Sequence, residues 1–178
     1  MRRTLTTALA AISLLLCSQI ASAQTLEEMI SLANEGIPSY QCMLGYKYLD
    51  GDGVEKNVPE AVKWFKLAAG NGDVYAAYTL GKTFHGGDGI PQDYAEAMQW
   101  FRLAAEMGDA NSQYQVAEMY QSGTGVEKDY VAAYAWLSLA IGNGANKRGI
   151  RDNLERDMNV SQIAEAKSLA ESLEASFH

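Results

Sequence analysis

The sequence predicts an all-α fold, an array of stacked helix pairs closed by C-terminal capping helices. Three observations predict it. A period of thirty-six residues runs through the chain without a gap, apolar residues inside each period recur at i, i+3, i+4 and i+7, and glycine-rich loops interrupt those stripes at one fixed place. Residues 37–72 and 73–108 are identical at thirteen of thirty-six positions, among them Leu44/Leu80, Gly45/Gly81, Trp64/Trp100, Phe65/Phe101 and Gly72/Gly108. A third copy, 109–144, keeps Tyr114, Gly123, Gly125, Asp129, Trp136 and Gly144. Gly36 and Ala33 fall one period before Gly72 and Ala69, so a half repeat, 24–36, precedes the first full one.

Each unit reads as two helices. In the second repeat Ala77, Leu80, Gly81 and Phe84 form one apolar stripe, the loop GGDGIPQD breaks it, and a second helix follows from about Tyr94 to Glu106. Its predicted buried side carries Ala97, Trp100, Phe101, Ala104 and Ala105, and Gly108 stops it. Gly45, Gly81 and Ala117 share one position. A glycine there costs up to about 1 kcal/mol against alanine in a helix interior, so its return in two copies points to a close approach of the partner helix. Beyond the last period, residues 145–178 offer a capping box at Asn159 and Gln162. A stripe of Ile163, Ala166, Leu169, Ala170 and Leu173 follows it, as expected of a terminal helix that covers the last apolar face.

Residues 1–23 have the build of a cleaved signal peptide: two arginines, an apolar stretch near Leu9–Leu16, and alanines flanking Ser22. The mature chain is expected to begin at Gln24 and to be periplasmic or secreted. The apolar run is shorter than the roughly 20 residues a permanent span needs. Cys17 invites lipoprotein processing, but Leu16 stands where that signal wants a small side chain. The net charge of −8 becomes −10 once Arg2 and Arg3 are removed, which argues against nucleic acid or anionic lipid as a partner. One cysteine, Cys42, then remains, so stability is expected to come from packing without an internal disulfide. A small buried side chain is the plain reading of Cys42 and a reactive thiol the other.

The residue pattern carries no constellation of a catalytic or metal site. Two histidines, His85 and His178, show no spacing that supplies a nucleophile and an orienting partner. Clusters of cysteine and histidine that would hold a metal are absent from the pattern, and no Walker-type lysine follows the glycine loops, so no cofactor is expected. The loop LDGDGVEK resembles a calcium loop only at its start: counted from Asp50, the fifth, sixth and twelfth places hold Val54, Glu55 and Ala61, where calcium needs oxygen, glycine and a bidentate glutamate. Glu60, Glu96 and Asp129 stand at the starts of second helices, where a carboxylate suits the helix dipole. Trp64, Trp100 and Trp136 recur within an apolar stripe and are expected in the core.

The recurring Leu-Gly, the Gly-x-Gly loop, and the Ala-x-x-Trp-Phe/Leu-x-x-Ala-Ala-x-x-Gly second helix resemble the Sel-one-like repeat, a relative of the tetratricopeptide repeat. The likeness covers residues 25 to about 144, with local departures at Pro38-Ser39, Val116-Ala117 and Thr124. It implies a right-handed α-α superhelix and a non-enzymatic adaptor that binds a protein or extended peptide client on the concave face, lined by the first helix of each pair. One step off the core stripe, that face would carry Cys42 and Tyr46 in the first repeat, Tyr75, Tyr78, Lys82 and His85 in the second, and Asn111, Tyr114 and Glu118 in the third. Two other readings stay open at this point: an envelope enzyme acting on cell-wall or β-lactam substrates, and a polysaccharide-handling scaffold. The loops themselves read as turns, since their glycines persist at 51/53, 87/89 and 123/125 while Asp52 and Asp88 give way to Thr124. EDTA is accordingly expected to leave the urea-unfolding midpoint unchanged, and Gly53→Val or Gly89→Val to lower it.

Overall fold

The computed structural model describes residues 26–177; the expected signal peptide, 1–23, and His178 lie outside them. The described residues form nine helices and no strand. Helix α1 covers 26–34, followed by α2 (Pro38–Asp50), α3 (Val58–Gly70), α4 (Val74–Gly86), α5 (Tyr94–Glu106), α6 (Ala110–Ser122), α7 (Tyr130–Gly142), α8 (Arg148–Arg156) and α9 (Val160–Ser176). The chain divides into two compact units, one ending at Asn71 and the other running from Gly72. In the first, α2 packs on α3; in the second, α4 packs on α5, α5 on α6, α6 on α7, and α8 and α9 on α7.

Local chemistry sets the helix ends. Asn57, Asp73, Asp93, Asp109 and Asp129 are N-caps whose side chains each accept a backbone N–H of the first turn, a device worth about 0.5–2 kcal/mol each. Helix α2 starts without a side-chain cap, on Pro38 at a position where the missing N–H would have had no partner anyway. Helix α9 opens on the expected capping box: the Gln162 N–H donates to Asn159 Oδ1, and the Asn159 N–H to Gln162 Oε1, both at 3.0 Å. In the first loop Asp52 turns back to Lys47, its carboxylate 3.1 Å from Nζ. In the third loop Gly125, at φ +72°, lies so close to the carbonyl of Tyr94 that a Cβ would collide with it.

The two helices of a repeat meet where one lacks a side chain. A Cβ added at Gly45 would lie 2.5 Å from the Phe65 ring, and one at Gly81 2.5 Å from the Phe101 ring. Both rings are almost fully buried, each worth about 1.5–3 kcal/mol of apolar transfer. The third repeat makes the reciprocal exchange: the same two positions hold Ala117 and Leu137, both buried in one cluster.

A polar clamp accompanies the packing. In the first unit the buried Gln41 donates through Nε2 to the Ala33 carbonyl at 2.9 Å and accepts from Asn71 Nδ2 at 2.9 Å. In the second unit Gln113 repeats this, donating to the Ala105 carbonyl at 3.0 Å and accepting from Asn143 at 3.0 Å. The middle repeat holds Ala77 and Met107 at the corresponding places.

The C-terminal helices close the second unit. Leu154 of α8, Met158 of the turn between α8 and α9, and Ala166 of α9 bury against Ala133 and Tyr134 of α7, while Phe177 stacks on Trp136 at 5.8 Å between ring centroids. That cover explains a difference among the tryptophans. Trp136 is buried, but Trp64 and Trp100 are only half-buried, so the sequence-based assignment of all three to the core holds for one of them.

Gly81→Ala is expected to lower stability by roughly 1–3 kcal/mol through overpacking against Phe101. Adding Phe101→Leu, which recreates the Ala117/Leu137 combination, should recover part of that loss in a double-mutant cycle followed by urea unfolding. Strictly additive losses would show that the two positions do not share one contact.

Candidate functional site

The side of α4 opposite its buried Ala76, Ala77, Leu80 and Gly81 carries the residues expected to face a client. Tyr75 is 74% exposed and Lys82 is exposed; Tyr78 and His85 are half-buried because they lean on the core. The Tyr78 ring lies 6.0 Å from Phe101, and the Lys82 ammonium sits 5.7 Å from the Tyr78 centroid, within cation–π reach. His85 meets Tyr94 edge-on at 5.1 Å and lies 6.3 Å from Phe101, while its carbonyl accepts from Gln92 Nε2 at 2.7 Å. The imidazole is thus packed among rings at the end of a helix.

On α6, Asn111 and Glu118 are exposed and Tyr114 is half-buried. The Tyr114 hydroxyl donates to the Glu118 carboxylate, and Lys147 lies 4.2 Å above its ring. Burial first, then the hydrogen bond to Glu118 and that residue's charge, push the Tyr114 phenol from 10.0 up to about 12. The Lys147 cover was not visible as a pairing in the sequence, whereas Tyr114 and Glu118 stand at i, i+4 on one helix.

In the first unit Tyr46 is 39% exposed and rests edge-on against Phe65 at 5.0 Å. Cys42 does not join it. It is buried at 8% exposure on the core side of α2, which corrects the expectation that it lines the surface and agrees with the plain reading of a small packed side chain. Among the described residues no group of three or more His, Cys, Asp or Glu side chains is placed to hold a metal ion, and no helix is long and apolar enough to cross a membrane.

The six helices α2–α7 are each thirteen residues long, return at one spacing and pack in consecutive pairs, which defines an all-α repeat protein built from helix pairs. The Sel1 repeat family matches residues 38–73, 74–109 and 110–144, and the chain belongs to that family. Two solved structures share the fold. A Sel1 repeat protein from Oxalobacter formigenes is 33% identical with a TM-score of 0.65, over 76% of this chain and 99% of that one. The c5321 protein, a protective antigen of uropathogenic Escherichia coli strains with an SLR fold, is 28% identical with a TM-score of 0.56, over 85% of this chain and 41% of that one. Among curated proteins, the chitin synthase regulator SKT5 of Saccharomyces cerevisiae is 49% identical over 41 residues; the match takes in 23% of this chain and only 6% of that protein. Sel1 repeat proteins are generally protein-interaction scaffolds.

The Tyr114 proton is held more tightly in the folded chain than in the unfolded one, where the phenol titrates near 10. Its contribution to stability is therefore intact below pH 10 and is lost as the pH rises through 12. In Glu118→Gln the Tyr114 ring should titrate below the wild-type value yet above 10, because burial persists when the charge is gone; ring-carbon NMR of labelled tyrosine measures this.

Proposed function

We propose that this chain is a non-enzymatic adaptor of the bacterial periplasm, or a secreted one, that binds a protein or extended peptide client. The exposed side of α4 supplies the main contacts, extended by Asn111, Tyr114 and Glu118 of α6; Tyr46 offers a like contact on α2. The observation that carries the reading is Tyr75: a large aromatic side chain, 74% exposed, on a helix whose other side is fully buried. A tyrosine brings much contact area at small entropic cost and is favoured where proteins meet. Lys82 beside it supplies a cation on an otherwise acidic chain, which suits a client segment bearing a carboxylate near an apolar residue. The family's general role as interaction scaffold supports the same reading, and the arginine-led, alanine-flanked leader in the sequence supports export.

A photo-crosslinking residue placed at position 75 is expected to capture a discrete client in cells, and one placed at the exposed Gln99 of α5 is not. Tyr75→Ala with Lys82→Glu should weaken binding of that client at least tenfold while leaving the unfolding midpoint close to wild type, since both side chains are exposed. Equal capture from both positions, or undiminished binding by the double variant, would overturn the α4 surface.

A further inference from the structure

A cavity of about 350 Å³ opens in the second unit between α9 and the ends of α5 and α7, and none of its lining residues belongs to the α4–α6 surface. Its floor is apolar, made by Leu139, Ala170 and Phe177, with the thioether of Met107 at the side. Its rim is acidic, with Glu106, Glu171 and Glu174. Glu106 is held by Arg102 at 2.9 Å, whereas among the described residues no cation pairs with Glu171 or Glu174.

Helix polarity adds to that charge. The wall contains the ends of α5 (Glu106 and its C-cap Met107), of α7 (Gly142 and its C-cap Asn143) and of α9 (Glu174 and its C-cap Phe177), so three helix C-termini meet at one space. Each brings the negative end of its dipole, while carbonyls such as those of Ala104, Ala105, Ala140 and Ile141 already accept from the turns that follow. No lysine or arginine lines the cavity. The one deeply buried polar wall residue, Gln113, already spends an amide hydrogen on the Ala105 carbonyl.

We infer that this cavity is a second binding site, which receives an arginine side chain presented by a peptide segment of a partner protein. The aliphatic stem of arginine matches the apolar floor. Its guanidinium is less strongly hydrated than an ammonium, carries five donors for carboxylates and carbonyls, and stacks on rings such as Phe177. The volume lies at the low end of ligand pockets, a size for one long side chain. Charge complementarity selects this occupant over an acidic or neutral one, because every charged side chain on the wall is negative and three helix C-termini face it against the single N-terminal turn of α6 that carries Gln113.

The test is an NMR titration of the ¹⁵N-labelled full chain with the capped tripeptide Ac-Gly-Arg-Gly-NH₂, beside its citrulline analogue. Saturable shifts are expected at Gly108, Gly142 and the side-chain amides of Gln113 and Asn143, with none from citrulline, which keeps the shape and loses the charge. A Cβ at Gly142 meets nothing within 4 Å, so Gly142→Leu should fold normally, fill open space at the wall and abolish the shifts. Glu171→Gln with Glu174→Gln, both exposed, should weaken binding at least tenfold. Equal response to citrulline, or binding that survives Gly142→Leu, would sink the proposal. Agmatine binding as tightly as the tripeptide would replace it with a small-molecule site.

Discussion

A phenylalanine ring lying where the facing helix has no side chain fixes how closely the two helices of a repeat approach, at Gly45 with Phe65 and at Gly81 with Phe101. The contact serves the surface as well as the core. Tyr46 stands edge-on on Phe65, and Tyr78 and His85 lean on Phe101, so the outward aromatic groups of α2 and α4 rest on the ring that the glycine admits. A side chain at either glycine would displace the ring and, through it, the residues above. The glycine lowers intrinsic helix stability, and burial of the ring offsets that loss. The aromatic groups of this surface are thus seated by a residue that has no side chain to offer.

The Gln41–Asn71 and Gln113–Asn143 clamps complement this seat. Each glutamine reaches back to a carbonyl near the end of the preceding second helix and is itself met by the asparagine that ends the next one, so three helix ends share one buried amide. Where the middle repeat substitutes Ala77 and Met107, the donor is replaced by a flexible thioether, and Met107 then forms part of the cavity wall beside α9. These two departures from the repeat pattern thus remove both hydrogen bonds of the clamp and leave Met107 on the cavity wall.

Most of the fold was legible because its signals are local. The Asn159–Gln162 capping box, the glycine stops and the i, i+3, i+4 stripe each act within a few residues, and α5 spans the stretch from Tyr94 to Glu106 that its stripe marks. Helix α8 was not legible in this way, since its one buried residue, Leu154, forms no stripe. The tryptophans misled because a shared register does not guarantee shared cover: only Trp136 has Phe177 stacked on it. Cys42 occupies the register of Tyr78 and Tyr114 yet is buried, because a small thiol at that position sinks where a phenol must project. The Tyr114–Glu118 bond lies at i, i+4 on one helix, a spacing that sequence carries, whereas the Lys147 cover and the acidic cavity join residues whose proximity arises only from folding.

Six consecutive helices of equal length, joined at an unbroken spacing, give the chain an arithmetic of its own. One residue inserted within a helix rotates everything beyond it by about 100° and turns a buried stripe toward water. A block of thirty-six residues, by contrast, starts and finishes at the same angular phase. Natural change in the length of such a molecule is therefore expected to be quantised: gene duplication and unequal crossing-over add or remove whole blocks, while the smaller insertions that ordinary loops absorb are confined to the few positions between helices.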